Sequence, residues 1–354
     1  MLSMIAMSGG VDSSVAAALT ADAHGRDACA GVAMRLYSTA EDAIRSGRTC
    51  CAPDDLYDAR RAAAAIGIRF YVYDAQERFR ARVIEPFIEA YAQGQTPNPC
   101  VRCNDHVKFN WLLDRACKLG AGELVTGHYA RVERLGGRYR LLRAADASKD
   151  QSYFLHGLTQ EELALVRFPL GTLTKTQVRA LARQRDLPNA DKPESMEVCF
   201  VAGTPLPRFL EDHGVSSAPG EIVDLAGRVL GVHDGVHRFT VGQRRGIGSG
   251  FKLPMYVAAL DADRRRVVVG TKDQATRRDF RAFDASWVDS APVPGTRCEV
   301  QIRHRGKPLA AVVDASGAEV DVKLLEPALG VAPGQSAVFY RGDEVLGGAT
   351  ITAS

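Results

Sequence analysis

Hydrophobic positions in the first part of the chain alternate between short continuous runs and helical spacing. Continuous apolar runs predict buried strands, whereas apolar residues repeating every three or four positions predict helices packed by one face. Strands are predicted at 4–7, 30–36, 70–73 and 123–128, and helices at 54–66, 77–91, 107–119 and 175–187. Strands and helices that alternate in this way are typical of a doubly wound parallel sheet. We therefore predict an α/β fold for residues 1–200.

The pattern changes near residue 200. Short β-type runs at 266–270, 298–303 and 337–340 are separated by turn signals, and Gly, Pro and Val become more frequent. We predict two small, mainly β domains at 201–273 and 274–354. Within the first domain, the Gly136-Gly137 pair inside 131–143 predicts an inserted hairpin.

The composition of the chain is that of a globular protein with an uneven distribution of charge. The chain has 354 residues, of which 46% are hydrophobic and 25% charged, as in ordinary globular proteins. It contains no apolar run long enough for a membrane span and no secretory signal pattern, so we expect a cytoplasmic protein without membrane association. The formal net charge of +3 hides a crowding of basic residues after about residue 237. This distribution indicates either a phosphate-binding surface or a solvated basic face.

The first predicted strand runs directly into a turn rich in glycine and serine. Ser8-Gly9-Gly10-Val11-Asp12-Ser13-Ser14 precedes a helical run at 15–19. Glycines allow a close approach of the backbone to a ligand, and hydroxyls beside helix N-terminal amides favour phosphate. The motif lacks the Gly-Lys-Ser/Thr of the Walker loop and the Gly-x-Gly-x-x-Gly of dinucleotide folds. Its alternative interpretation is an ordinary turn with a helix cap.

The topology extends this candidate nucleotide site. The carboxyl ends of parallel strands meet at one crevice, where Met34 and Gly127 are expected beside Gly9. Asp12 is predicted either to help hold Mg²⁺ or to cap the helix.

Eight cysteines in a chain expected in the cytoplasm are more often reduced, catalytic or ligating than disulfide-bonded. Cys100 and Cys103 follow Pro97-Asn98-Pro99, which predicts a rigid loop that presents two thiols. Cys103 is the candidate nucleophile, because a nearby helix N-terminus, Arg102 and Lys108 would favour its thiolate. Cys199 ends an apolar run and is either a second reactive thiol or an inert packing residue.

The other cysteines have weaker signals. Cys50 and Cys51 are vicinal and have no convincing zinc-ligand spacing around them, so no role is predicted for them. Cys29, Cys117 and Cys298 are predicted to be packing residues.

Several sequence blocks together resemble the bacterial tRNA-specific 2-thiouridylases of the MnmA type, over nearly the whole chain. The blocks are Ala6 to Ser14, Cys50-Cys51 with Asp58-Ala59-Arg60, Thr96 to Pro99 with Cys103-Asn104 and Lys108-Phe109, Gly127-His128-Tyr129, Lys149 to Leu155, Phe168 to Gly171, Ser195 to Phe200, Phe239 to Gly246 and Pro333 to Tyr340. Their order is that of the family. The resemblance implies a PP-loop fold, similar to the adenine nucleotide alpha hydrolases.

The resemblance also implies a reaction. ATP would be held by Ala6, Met7, Ser8, Gly9, Gly10, Val11, Asp12 and Ser13, with Met34 and Gly127 near the adenosine. It would adenylate the C2 oxygen of the wobble uridine in tRNAs for Lys, Glu and Gln. Cys199 corresponds to the persulfide-bearing cysteine, loaded from a cysteine desulfurase through a sulfur relay, and Cys103 to its nucleophilic partner. A Cys103–Cys199 disulfide would close the cycle and need reduction.

Contacts to tRNA are likewise implied by motif position alone. The matching residues are Pro97, Asn98, Pro99, His128, Lys149, Asp150, Gln151, Arg303, His304 and Gln335. Without the resemblance, Lys149 would be a solvated surface lysine and His128 a loop histidine. Basic residues such as Arg244, Arg245 and Arg277 would add phosphate contacts, which dominate affinity for RNA.

One position departs from the family. Many members have Asp where this chain has Cys100, which puts an acid/base role there in doubt. The substitution creates a Cys-x-x-Cys pair that, with Cys199, offers three thiolates for a [4Fe–4S] cluster as an alternative sulfide carrier. Two further alternatives are a non-catalytic RNA-binding or sulfur-relay protein and another PP-loop ligase. The intact loop, Cys103 and Cys199 favour the sulfurtransferase over the non-catalytic protein. The basic all-β tail and the paired thiols, which another PP-loop ligase would not need, disfavour the second alternative.

Overall fold

The computed structural model of the chain describes residues 1–37, 53–194, 198–201, 203–248, 251 and 253–352. Cys50, Cys51 and residues 195–197 lie outside the described residues. The chain divides into two compact units. The first comprises 1–84, 99–204 and 343–345, and the second comprises 85–98, 205–342 and 346–354.

The helices are α1 Val11–His24, α2 Pro53–Ile66, α3 Gln76–Phe79, α4 Glu85–Ala92, α5 Pro99–Cys103, α6 Leu113–Lys118, α7 Gln160–Leu165, α8 Lys175–Gln184 and α9 Leu206–Asp212. The strands are β1 Leu2–Ala6, β2 Cys29–Arg35, β3 Arg69–Asp74, β4 Ala121–Thr126, β5 Arg131–Leu135, β6 Arg138–Leu142, β7 Val166–Arg167, β8 Gly220–Asp224, β9 Val229–His233, β10 Tyr256–Asp261, β11 Arg266–Gly270, β12 Thr276–Trp287, β13 Thr296–Gln301, β14 Leu309–Ser316, β15 Glu319–Leu329, β16 Ser336–Arg341 and β17 Glu344–Ile351.

The first unit is built on a parallel sheet in the order β3-β2-β1-β4-β7. Met4 of the central strand pairs with Ala30 on one side and with Leu124 on the other. Helix α1 is largely buried, and its alanines allow close packing in a core that also contains Ile5 and Val125. The predicted doubly wound α/β fold is confirmed.

The predicted hairpin is also confirmed. Strands β5 and β6 are antiparallel and joined at Gly136 and Gly137, whose φ angles of 61° and 85° are those a tight hairpin turn requires. Residues 343–345 belong to this unit, and Glu344 of β17 pairs with Leu142 of β6.

The predicted loop that presents two thiols is wrong. Pro99 is the first residue of α5, and the helix continues without interruption into a π-helical stretch at Asn104–Leu112 and then into α6. Proline fits the first turn of a helix, because the amide that it lacks would have no partner there. Cys100 and Cys103 therefore lie on the first helical turns. The helix predicted at 77–91 is present but not uniform, since a π-helical turn at Arg80–Ile84 joins α3 to α4.

The second unit is mainly β, as predicted. One sheet has the order β10-β11-β8-β9, in which β11 and β8 are parallel and the other pairs antiparallel. The other has the order β12-β15-β14-β13-β16-β17, and β12 also pairs with β17, so these strands close into a barrel. Its interior contains Val300, Val322 and Phe339. Because both sheets fall in one compact unit, the domain boundary at residue 273 stays a prediction.

No helix within the described ranges is both long enough and apolar enough to cross a membrane.

Candidate nucleotide and thiol site

The turn after β1 depends on one glycine and is open at the next. Gly9 has a φ of 77°, and a Cβ there would lie 2.2 Å from the Asp55 carbonyl oxygen. Gly10 has an ordinary φ of −82°, and a Cβ there would meet nothing closer than Ser8 Oγ at 3.6 Å. Gly9 is therefore required by the backbone, whereas Gly10 leaves open space beside the start of α1. Such space is what a ligand that approaches the backbone needs.

Hydrogen bonds within the first unit hold this turn in shape. Ser13 Oγ accepts from the Ser8 amide at 3.1 Å and donates to the Gly10 carbonyl at 3.0 Å. The buried Asn189 side chain donates from Nδ2 to the Gly9 carbonyl and to Ser14 Oγ, both at 2.9 Å. The turn predicted from the motif to bind phosphate is thus held in shape by the protein itself.

Asp12 is engaged by the protein's own donors. Its carboxylate accepts from the Lys175 ammonium at 2.7 and 2.8 Å and from the Tyr129 hydroxyl at 2.9 Å. The capping alternative is wrong, because Gly10 is the N-cap residue of α1 and has no side-chain cap. Lys175 contacts both carboxylate oxygens, and a role of Asp12 toward Mg²⁺ stays a prediction. In the part of the chain that the structure describes, no group of three or more His, Cys, Asp or Glu is arranged to hold a metal.

Gly127 lies directly against residues 8–14, which we call the phosphate-binding turn because the motif predicts phosphate there. A Cβ at this position would be 2.7 Å from the Ser13 amide nitrogen and 2.8 Å from the Asp12 carbonyl carbon. The residue that follows β4 therefore packs on the first turn of α1, which only glycine permits. Gly127 and Asp12, which are more than a hundred positions apart and were both predicted from the sequence to lie at the site, are thus brought together.

The two candidate thiols pack in one apolar cluster, which we call the thiol cluster. Its buried members are Leu36, Ala75, Phe79, Val83, Cys103 and Val107, and Met34, Tyr37, Ile84, Trp111, Cys199 and Phe200 pack against them partly buried. Cys103 is 9% exposed, whereas Cys100 is on the exposed side of α5. Met34 belongs to β2, the neighbour of the strand that ends at the phosphate-binding turn.

The segment that carries Cys199 is anchored to the rest of the thiol cluster. The Tyr37 hydroxyl donates to the Cys199 carbonyl at 2.8 Å. Phe200 meets the Phe79 ring edge to face, with the ring centroids 5.7 Å apart. These contacts hold Cys199 in the same cluster as Cys103.

Other cysteines differ in their surroundings. Burial, followed by the charge of Glu123, raises the pKa of Cys29, and burial raises the pKa of Cys298 to about 11. Both therefore stay protonated at neutral pH, in keeping with a packing role. Cys117 is exposed, so the packing role predicted for it is wrong.

The iron–sulfur alternative finds no support in the described residues. Cys100, Cys103 and Cys199, the three thiols that it requires, are not grouped there as metal ligands.

The predicted RNA-binding residues of the first unit are held by internal hydrogen bonds. The Lys149 ammonium contacts Glu194 at 2.6 Å. Asp150 accepts from the Ala144 amide at 2.9 Å and from Arg143 at 3.1 Å. The Gln151 side chain accepts from the Tyr129 amide at 2.9 Å. These bonds hold the three side chains in place, while their RNA contacts stay a prediction.

His128 packs against two aromatic rings. Its ring centroid is 5.7 Å from that of Phe109 and 5.9 Å from that of Phe168, and Nδ1 bonds to Thr126 Oγ1 at 2.7 Å. Burial, with a smaller contribution from the Lys108 charge, lowers the pKa of His128 well below its ordinary value. The ring is therefore neutral near pH 7 and cannot attract phosphate by charge.

In the second unit, Gln335 is tied to the segment that leads to Pro97 and Asn98. Gln335 Nε2 donates to the Thr96 carbonyl at 2.7 Å, and the Thr96 amide donates to the Pro333 carbonyl at 2.8 Å. Arg303 is exposed, as are Arg244, Arg245, Arg277 and Arg278. Other basic residues of this unit have carboxylate partners, among them Arg266 with Glu221 and Arg264 with Asp261. The basic surface is thus only partly neutralised.

Sequence reasoning missed several residues around the phosphate-binding turn. Lys175 contacts Asp12 and also Glu194, the latter at 3.0 Å. Burial raises the pKa of Glu194, but the two lysines that hold it outweigh this effect and lower its pKa to about 2. Asn189 and Tyr129 complete the surroundings of the turn. Nothing local in the sequence marks Lys175, Asn189 and Tyr129, because their partners in the turn are 117 to 180 positions away.

Comparison with protein families agrees with this architecture. Residues 2–203 match the family described as the tRNA methyl transferase HUP domain, 207–271 the tRNA methyl transferase PRC-barrel domain, and 277–351 the aminomethyltransferase beta-barrel domain. The parallel sheet and the turn after β1 thus lie in a domain of the HUP class.

Whole-chain relatives are more specific. The tRNA-specific 2-thiouridylase MnmA of Geobacter metallireducens is 48% identical over 99% of this chain and 96% of the relative. The proteins of the same name from Acidothermus cellulolyticus and Chloroflexus aggregans are 49% and 48% identical, each over 98% of this chain and 96% and 97% of the relative. The chain belongs to the family of MnmA-type tRNA-specific 2-thiouridylases, which confirms the resemblance seen in the sequence.

Proposed function

We propose that this chain is a tRNA-uridine 2-sulfurtransferase, which uses ATP to replace the C2 oxygen of the wobble uridine in tRNAs for Lys, Glu and Gln by sulfur. One observation carries the proposal. The phosphate-binding turn and the thiol cluster lie in the same compact unit, and Cys103 and Cys199 pack in that one cluster. Activation of a carbonyl oxygen and delivery of sulfur are the two tasks that such a reaction combines.

In the first step, the uridine O2 attacks the α-phosphorus of ATP. A P–O bond forms, the bond to the β-phosphate breaks, and pyrophosphate leaves. The preformed turn, with the open space at Gly10 and the amides at the start of α1, is suited to hold the phosphates. The product carries AMP on O2, so C2 becomes electrophilic and gains a good leaving group.

In the second step, sulfur arrives as a persulfide on Cys199, supplied by a cysteine desulfurase directly or through a sulfur-relay protein. The Cys103 thiolate attacks Sγ of Cys199, forms a Cys103–Cys199 disulfide and releases the terminal sulfur as hydrosulfide. Hydrosulfide adds to C2, and AMP leaves with the former O2. A dithiol reductant then restores both thiols. The apolar side chains around Cys103 limit water at this point, which protects the adenylate from hydrolysis.

The tRNA is bound by residues of both units in this proposal. Lys149, Asp150, Gln151, His128 and Pro99 contribute from the first, and Pro97, Asn98, Arg303, His304 and Gln335 from the second. The wobble uridine is unpaired in the anticodon loop, so its extrusion into a pocket costs only a few kcal/mol. The neutral, ring-flanked His128 suits a contact to a base or ribose rather than to phosphate.

The stoichiometry of the reaction tests the proposal. Purified protein, an anticodon stem-loop of tRNA for Glu, ATP, cysteine and a cysteine desulfurase should yield one pyrophosphate and one AMP for each 2-thiouridine. A stem-loop with C at the wobble position is the matched control and should give neither product. Formation of 2-thiouridine without pyrophosphate release would overturn the adenylation step.

A further inference from the structure

Four charged side chains of alternating sign form a line in the first unit. Asp12 is followed by Lys175, Glu194 and Lys149. The Lys175 ammonium lies 2.7 Å from Asp12 Oδ1 and 3.0 Å from Glu194 Oε1, and the Lys149 ammonium lies 2.6 Å from Glu194 Oε2. Two ammonium groups and two carboxylates balance, so the line has no net charge before a ligand arrives.

Lys175 is well placed to reach the phosphate-binding turn. Its backbone is fixed at the start of α8, where its amide donates to Asp146 at 3.0 Å and Thr174 caps the helix. Its side chain is 12% exposed, and the ammonium lies 5.9 Å from the centroid of the Tyr129 ring. The ammonium ends on Asp12, which lies in the first turn of α1 close to the open space at Gly10.

A polyphosphate in that space would face the carboxylate of Asp12, which repels it. The lysine ammonium has three donors on a flexible stem, so it can exchange one anionic partner for another. Asp12 would keep the Tyr129 hydroxyl as a donor if Lys175 moved, and Glu194 would keep Lys175 near the turn.

From this geometry we infer that Lys175 is a ligand of the nucleotide's phosphates. When the nucleotide binds, the Lys175 ammonium moves from Asp12 to a phosphate oxygen, and Glu194 keeps Lys175 within reach of that oxygen. The inference rests on the ATP use proposed above. The role inferred for Lys175 follows from its contacts.

Direct binding of inorganic pyrophosphate and of α,β-methylene-ATP, measured by titration calorimetry in EDTA and without RNA, tests the inference. Removing one charge-assisted hydrogen bond should weaken binding of both probes about 10- to 100-fold in Lys175→Met. Lys175→Arg should retain part of the affinity. The matched control is Lys118→Met, an exposed lysine paired with Asp114 on α6, which should bind like the wild type.

The variant Asp12→Asn tests the inference independently of any change at Lys175. Because it removes the carboxylate that competes for Lys175, it should tighten pyrophosphate binding in EDTA by about threefold or more. Folding of each variant is checked by its thermal unfolding midpoint. A folded Lys175→Met protein with wild-type affinity, or weaker binding in Asp12→Asn, would overturn the role of Lys175 and leave the ATP proposal intact. If the wild type bound neither probe, the ATP proposal itself would fail as well.

Discussion

The two neighbouring glycines of the phosphate-binding turn should respond differently to substitution by alanine. Gly9→Ala should lower the stability of the protein, whereas Gly10→Ala should lower its affinity for pyrophosphate. In Gly9→Ala, the new Cβ lies 2.2 Å from the Asp55 carbonyl oxygen, and the φ of 77° is unfavourable for alanine. The backbone conformation costs about 1–2 kcal/mol and the overlap about 1–3 kcal/mol more. The sum of about 2–5 kcal/mol corresponds to a thermal midpoint lowered by about 4–20 °C for a unit of this size.

In Gly10→Ala, the new Cβ meets nothing closer than 3.6 Å and φ is −82°, so stability should change by less than about 0.5 kcal/mol. The methyl group would instead enter the space assigned to the phosphates, and pyrophosphate binding should weaken. Differential scanning calorimetry measures the first effect and titration calorimetry the second. Equal destabilisation of the two variants would refute the assignment of strain to Gly9, and unchanged pyrophosphate binding by Gly10→Ala would refute the location of the phosphates.

Further predictions follow from individual contacts. Asn189→Ala leaves the Gly9 carbonyl and the Ser14 hydroxyl without this buried donor, so it should cost about 2 kcal/mol in unfolding measurements, and an unchanged midpoint would contradict the role given to Asn189. His156 is buried, its ring nitrogens have no hydrogen-bond partner among the described residues, and burial lowers its pKa to about 4. Because the unfolded state takes up the proton first, His156 should reduce stability as pH falls from about 6.5 to 4, by about 3 kcal/mol in total. His156→Phe should flatten the stability profile in that window, and an identical profile would argue against it. Arg303→Gln should weaken tRNA binding and lower the slope of log affinity against log salt by about one, whereas an unchanged slope would remove Arg303 from the RNA contacts.

Features encoded by neighbouring residues could be predicted from the sequence. The parallel sheet followed from continuous apolar runs separated by helical spacing, and the β5–β6 hairpin followed from Gly136-Gly137. The turn from β1 into α1 was predictable for the same reason, since its strand, glycines and hydroxyls are consecutive, while its binding of phosphate stays a prediction. The proximity of Gly127 to this turn followed from the rule that parallel strands share one carboxyl edge.

Features that depend on distant partners were missed or misjudged. The loop expected before Cys103 is a helix, because Pro99 suits a first helical turn as well as it suits an extended loop. The capping role considered for Asp12 is wrong, and the sequence gives no sign that Lys175 contacts Asp12 from 163 positions away. Such pairings are set by tertiary packing and have no local pattern.

The central claim is that sulfur transfer needs both thiols whereas adenylation needs neither, and one experiment tests this most directly. With persulfide donor, ATP and the tRNA for Glu under anaerobic conditions, pyrophosphate release and 2-thiouridine are measured in parallel for Cys103→Ser and Cys199→Ser, with Cys117→Ser as the exposed-thiol control. We predict that both site variants release pyrophosphate yet form no 2-thiouridine, while the control does both. Thiolation that survives in Cys103→Ser and in Cys199→Ser would contradict the account.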